Sequence, residues 1–199
     1  MKGRVIALLI LIVGLCFLVS GSWIQIKAVI AQELLERSWQ QTLSHGNTVQ
    51  PWPWADHWPV AQLKFPRAKS ELIVLSGDNG SSLAFAPGWN TKSAKPGERG
   101  VTVISGHRDT HFKILKDTEI GDSIEIVTAQ GETVNYQVKT IEVVDSRVAT
   151  IDTEQSGQTL VLVTCYPFGA VVAGGPLRYV VTANRIQTYD LNGELTFFI

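Results

Sequence analysis

From Pro66 onward, turn signals cut the chain into short apolar runs, and that punctuation restricts it to a fold made of strands. The runs are Glu71 to Leu75, Ser82 to Phe85, Val101 to Ser105, Ser123 to Thr128, Val134 to Val144, Thr159 to Thr164 and Leu177 to Ala183. Between some of them lie Ser76-Gly77-Asp78-Asn79-Gly80, Pro87-Gly88 and Gln130-Gly131. Many runs are rich in Val, Ile and Thr, and several alternate, as in Ser123-Ile124-Glu125-Ile126. Alternation at period two is the signature of half-buried strand. The pattern predicts a mainly β domain, a closed barrel or a sandwich. A short helical turn is expected from His111 to Lys116. There is no internal repeat and no low-complexity tract.

The 199 residues suffice for one ordinary domain and a short extra segment. With 17 basic against 18 acidic side chains, the chain carries no broad footprint for nucleic acid. Hydrophobic residues make up 45% of it, too many for a disordered protein, and 2 cysteines exclude a disulfide-dense miniature.

The extra segment is amino-terminal. After Lys2 and Arg4, the run Val5 to Ile26 holds no charge, and its 22 positions slightly exceed the roughly 20 a helix needs to cross a bilayer. Lys2 and Arg4 favour a cytoplasmic amino end, with Trp23 near the outer interface, so the rest of the chain is expected outside the inner membrane. A cleaved secretory signal ending at Ser20-Gly21-Ser22 is the alternative, and it exports the domain equally. Cys16 then sits in lipid and cannot pair with Cys165. Lys27 to His45 reads as helix, broken at Gly46-Asn47, and is expected to extend the membrane helix as a stalk. Pro51 to Val60 holds three Trp and three Pro. It reads as an extended strap whose indoles cover one barrel end, or as a ligand platform. The expected organisation is residues 1–26 as anchor, 27–50 as helical stalk or linker and 51–199 as the extracytoplasmic β domain.

Three features at strand ends carry the chemistry. Cys165 ends an apolar run and is followed by Tyr166-Pro167, which stops ladder pairing and places the thiol at the barrel mouth. An unpaired thiol at such an edge is a candidate nucleophile when a base or cation lies near. Gly106-His107 ends another run and offers the base; the 58 residues between His107 and Cys165 say nothing by themselves. Arg178 opens a third run after Gly174-Gly175-Pro176 and can aim its donors at a carbonyl oxygen. Arg108 competes for that role, although a residue adjacent to His107 points away from it on an extended backbone. His107 and His111 have a helical metal spacing, but no third ligand is close in sequence, so no zinc is expected. Asp145, Asp152 and Glu154 are too scattered for a calcium loop. His45 and His57 read as incidental.

Together, Gly-His after a strand, Thr164-Cys165 after Leu162, and Arg178 opening the next strand resemble the sortases. More narrowly, Trp52 to Val60, Gly106 to Phe112 and Thr164 to Arg178 are similar to class GN sortases of marine proteobacteria. The likeness runs from about Pro51 to Ile186 and implies an eight-stranded closed barrel with short helices. It implies a cysteine transpeptidase: Cys165 attacks the scissile carbonyl of a sorting signal near the carboxyl end of an exported protein. His107 would protonate the departing amine and deprotonate the incoming one, and Arg178 would hold the oxyanion. Thr164, Tyr166 and His111 would neighbour the substrate. No cofactor is implied. The partners implied are a dedicated substrate with a von Willebrand A domain and an amine acceptor, met on the periplasmic face of the inner membrane. No Asn or Asp is evident as an orienter of His107. The rival readings are an L,D-transpeptidase, whose Ser-His-Gly-Cys-type motif is absent here, and an anchored binding domain without catalysis.

Overall fold

The computed structural model describes residues 2–153, 157–170 and 174–186. Within the first helix the side chains of 2, 7–9, 15, 16, 18–20 and 22–25 lie outside that description, which includes the expectations for Cys16 and Trp23.

Eight strands close into a barrel. They are β1 (Pro59–Phe65), β2 (Ser70–Ser76), β3 (Gly88–Trp89), β4 (Gly100–Ser105), β5 (Ser123–Thr128), β6 (Thr133–Asp145), β7 (Gln158–Cys165) and β8 (Leu177–Arg185). Their order around the barrel is β1-β2-β3-β4-β7-β8-β6-β5. The β2/β3 and β4/β7 pairs are parallel and the other pairs antiparallel. Closure leaves no open edge to template aggregation.

Period-two alternation fills the interior. Ala61, Leu63 and Phe65 on β1, Ile124 and Ile126 on β5, Leu160 and Leu162 on β7, and Val181 and Ala183 on β8 all face one core. Residues one step out of phase make a second, smaller cluster on the opposite face of β4, β7 and β8: Val101, Val103, Val161 and Val180, with Val144 and Val163 against it. Both faces of these central strands are thus apolar, which is why their runs are continuous rather than alternating.

Helix α1 covers Lys2–His45 and ends where Gly46 takes a positive φ of 69° and returns its N–H to Thr42 O. The stalk expectation needs correction at its inner half. Ala31, Leu35, Ser38, Trp39 and Thr42 are buried, and Leu35 packs with Leu75 and Ala86 of the barrel. Gln32 Nε2 donates to Phe85 O at 2.8 Å, so this stretch lies on the barrel as part of its coat. Among the described residues no helix is long and apolar enough to cross a membrane.

Two local expectations also change. Ser82 to Phe85, read as strand, begins inside a helical turn, α2 (Gly80–Leu83), because the Asn79 side chain accepts from the N–H groups of Ser81 and Ser82. In the strap, Trp52 packs on His57 and Phe85, with centroids 5.4 and 5.1 Å away, whereas Trp54 is 83% exposed. His57 is buried, with its Nδ1 2.9 Å from Asp56 Oδ1. The helical turn expected near His111 is a 3-10 helix, His111–Asp117.

Candidate active site

The parallel pairing of β4 with β7 sets the geometry. Gly100 faces Gln158 and Ser105 faces Val163, a constant offset of 58 residues that continues past the strand as Gly106 N–H donates to Val163 O. Thr164 Oγ1 donates to Gly106 O at 2.7 Å across the same separation. His107 therefore follows β4 at the level at which Cys165 ends β7. Across the other edge of β7, Cys165 is the register partner of Arg178, and side chains of directly opposed residues share a face. That face is the one of Val161, Val163, Val103 and Val180. Cys165 is a free, exposed thiol, and His107 is exposed as well.

Gly106 is there for space. A Cβ at this position would fall 2.7 Å from the ring of Phe112, a fully buried core residue. Phe112 N–H in turn donates to His107 O at 3.0 Å, so the glycine, the imidazole-bearing residue and the 3-10 helix form one unit.

Arg178 is half-buried, and its NH1 group donates to Gly175 O at 2.7 Å and Leu177 O at 2.8 Å. Among the described residues, Nε and NH2 of the fork meet no acceptor. Asp145 stands opposite Leu177 on β6. Hydrogen bonds from Arg147, with a smaller contribution from the charge of Arg178, hold its carboxyl at about 2.

Arg108 is buried where His107 is exposed. It is 8% exposed and grips Asp109 with Nε (2.9 Å) and NH2 (2.7 Å), Pro167 O with NH1 (2.6 Å) and Ala170 O with NH2 (2.9 Å). The hydrogen bonds from Arg108 hold the Asp109 carboxyl below its usual range, and those to Asp109 hold the guanidinium above its own. Sequence reasoning weighed Arg108 only as a competitor for the anion role. Its grip on the segment after Cys165 had no signal in sequence, because the two segments meet only through the β4/β7 register.

The expected substrate neighbours separate. Thr164 points into the barrel, 2% exposed, with its hydroxyl on Gly106 O, so it holds β7 to the His107 segment rather than facing a substrate. Tyr166 is half-buried and stacks on Tyr179 at 6.1 Å, and Phe168 meets Tyr179 edge-on at 5.1 Å. His111 starts the 3-10 helix, half-buried. Burial, then the nearby charge of His107, push its imidazole below the usual value, against a smaller opposing effect of the Phe85 backbone. No group of three or more His, Cys, Asp or Glu among the described residues is arranged to hold a metal ion; Glu154 lies outside them.

Chemically, a thiol at the level of an imidazole-bearing residue and opposite a guanidinium offers the three kinds of group that acyl transfer uses: a nucleophile, a proton carrier and an oxyanion partner.

The chain is similar to known proteins in sequence and in fold. The family model described as the Sortase domain matches residues 63–186. The chain is 34% identical over 125 residues to sortase D of Bacillus subtilis; the match spans 62% of this chain and 62% of that relative's length. Sortase A from Corynebacterium diphtheriae superposes with a TM-score of 0.58 at 24% identity, over 81% of this chain and 86% of that one. A sortase D5 transpeptidase of Clostridium perfringens gives 0.59 at 21% identity, over 79% and 99%.

Proposed function

The chain belongs to the sortase family, whose members are cysteine transpeptidases, and on that premise we propose that it is a membrane-anchored enzyme that transfers the acyl part of a sorting signal to an amine. The observation that supports this reading is the shared register: Cys165 is level with His107 on one side and opposite Arg178 on the other.

In this mechanism the Cys165 sulfur, as thiolate, attacks the carbonyl carbon of the scissile amide. A C–S bond forms, and the carbonyl π electrons move to oxygen, where the Arg178 fork stabilises the negative charge. Arg stays charged throughout, and its planar donors suit a developing oxyanion. As the tetrahedral intermediate collapses, the C–N bond breaks and His107 gives its proton to the departing amine. A thioester on Cys165 is left. The acceptor amine then attacks that thioester, His107 takes the amine's proton, and the sulfur leaves as thiolate. Thiolate is a far better leaving group than amide nitrogen, so splitting one amide exchange into two acyl steps lowers both barriers. Imidazole suits the shuttle because its charge changes near neutral pH.

The uncharged run Val5 to Ile26 anchors the enzyme in the inner membrane with its barrel outside. On the likeness to class GN sortases, the substrate is an exported protein of von Willebrand A type dedicated to this enzyme. Neither an L,D-transpeptidase nor a non-catalytic binding domain is favoured by the family match.

The test is to isolate the protein from cells that carry its substrate and analyse Cys165 by mass spectrometry. A thioacyl adduct that disappears in Cys165→Ala, together with processing of the partner, is expected. Partner processing untouched by Cys165→Ala would overturn the reading.

A further inference from the structure

The mechanism above has no use for Arg108, yet a guanidinium 8% exposed is an expensive thing to place beside a reaction centre. Four of its five N–H donors are engaged. Two go to the Asp109 carboxylate, and the other two go to main-chain carbonyls of Pro167 and Ala170, on a different segment. Asp109 works on the same segment in the opposite sense, since the Gly169 backbone N–H acts on its carboxylate. An adjacent cation and anion thus address alternating acceptors and a donor along 167–170, the stretch that begins two residues after the nucleophile. The pair itself begins one residue after His107.

We propose that Arg108 and Asp109 form a positioning clamp that holds the Pro167–Ala170 segment to the His107 segment and so fixes the spacing at which thiol and imidazole work. The hydrogen bonds of Arg108 go to Asp109, Pro167 and Ala170 and not to Cys165 or His107, although the charge of Cys165 acts on its guanidinium. The clamp acts because, among the described residues, the β4/β7 backbone pairing ends with Gly106 N–H on Val163 O, so ladder hydrogen bonds do not reach His107 and Cys165. Thr164 Oγ1 on Gly106 O pins the two strands from inside the barrel, and Arg108 pins their continuations from the loop side. A flat fork is needed, because two carbonyls and a carboxylate must be met from one group, which an ammonium on a flexible stem cannot do with the same geometry. This inference rests on the acyl-transfer reading for its purpose but not for its test.

The test is a double-mutant cycle on alkylation of Cys165 by iodoacetamide in the full chain, followed between about pH 5 and 8, where imidazole changes charge. The charged groups around the thiol are His107, Arg108 with Asp109, and Arg178 with Asp145. In the wild-type background, His107→Ala changes the alkylation profile. With Arg108→Gln present, the same substitution is expected to change rates about tenfold less, a mid-range coupling for groups that act together. Arg108→Lys, which keeps the charge, is expected to behave like Arg108→Gln. Asp109→Asn is the milder variant should Arg108→Gln fold poorly, and it is expected to weaken the coupling partway. A His107 effect of equal size in both backgrounds overturns the clamp. So does full rescue by lysine, because charge alone would then suffice, and so does a wild-type thiol indifferent to His107. Failure of the acyl-transfer reading would look different: no thioacyl adduct, with the coupling intact.

Discussion

At Gly106 the chain has no room for a side chain, and the reason lies six residues further on. The Phe112 ring occupies the place of a Cβ, 2.7 Å from where it would stand. Gly106→Ala must therefore displace an aromatic ring sealed in the core, and overpacking of this kind costs about 1–3 kcal/mol. The displaced ring takes with it the Phe112 N–H that holds His107 O, so the imidazole moves too. A shift of about 1 Å can lower turnover about 100-fold. We expect Gly106→Ala to lower the denaturation midpoint moderately and activity severely; normal activity with lowered stability would detach Gly106 from the site. The Gly-His pair was visible in sequence as a motif, and its cause was not, since Phe112 reaches back only through the 3-10 helix. The 58-residue separation of His107 and Cys165 was equally mute until β4 and β7 proved parallel with that same offset. Thr164 illustrates the converse. Its place beside the cysteine invited a substrate role, but strand alternation turns it inward to Gly106 O.

At the scale of elements, strands carried by an apolar run, alternating as in β5 or continuous as in β4 and β7, are legible in the sequence, and short or capped elements are not. β4, β5, β7 and β8 fall within a residue or two of the apolar runs that announced them. β3 is only Gly88–Trp89, too short to hold a pattern, and β1 lies behind the proline-rich strap that obscured it. Asn79 overrode the apolar look of Ser82 to Phe85 by capping a helical turn. The pattern of Lys27 to His45 announces a helix, but an amphipathic face does not say what it packs on. Leu35 is wholly buried against Leu75 and Ala86. Leu35→Ala should cost about 2–5 kcal/mol in chemical denaturation of the whole protein, the range for emptying a buried leucine site. A free stalk would lose less than about 0.5 kcal/mol, the scale of surface changes, and that result would undo the packing described for α1.

For the whole molecule, every group assigned to the reaction comes from one end of the barrel, and α1 runs past that end. His111 sits where the two meet: α1 reaches Phe85 O through Gln32, and the Phe85 backbone also acts on the His111 imidazole. Burial and the charge of His107 both disfavour protonation of His111 in the folded state, so its folded pKa lies below the ordinary 6.5. The sign of the linkage follows. Above 6.5 the imidazole is neutral whether folded or unfolded and its titration contributes nothing. Below 6.5 the unfolded chain binds a proton that the folded chain resists, so unfolding gains free energy as pH falls towards the folded pKa. Asp145 adds to acid sensitivity only lower down, between the ordinary 3.8 and about 2. The stability of the wild type should therefore fall more steeply than that of His111→Gln when denaturation midpoints are compared from neutrality down to about pH 5, a range in which the carboxylates still hold their charge. The two curves should then run parallel through further acidification once both forms of the imidazole are protonated. Parallel curves already between neutrality and about pH 5 would mean that His111 accepts its proton freely in the folded barrel, and that neither burial nor His107 governs it.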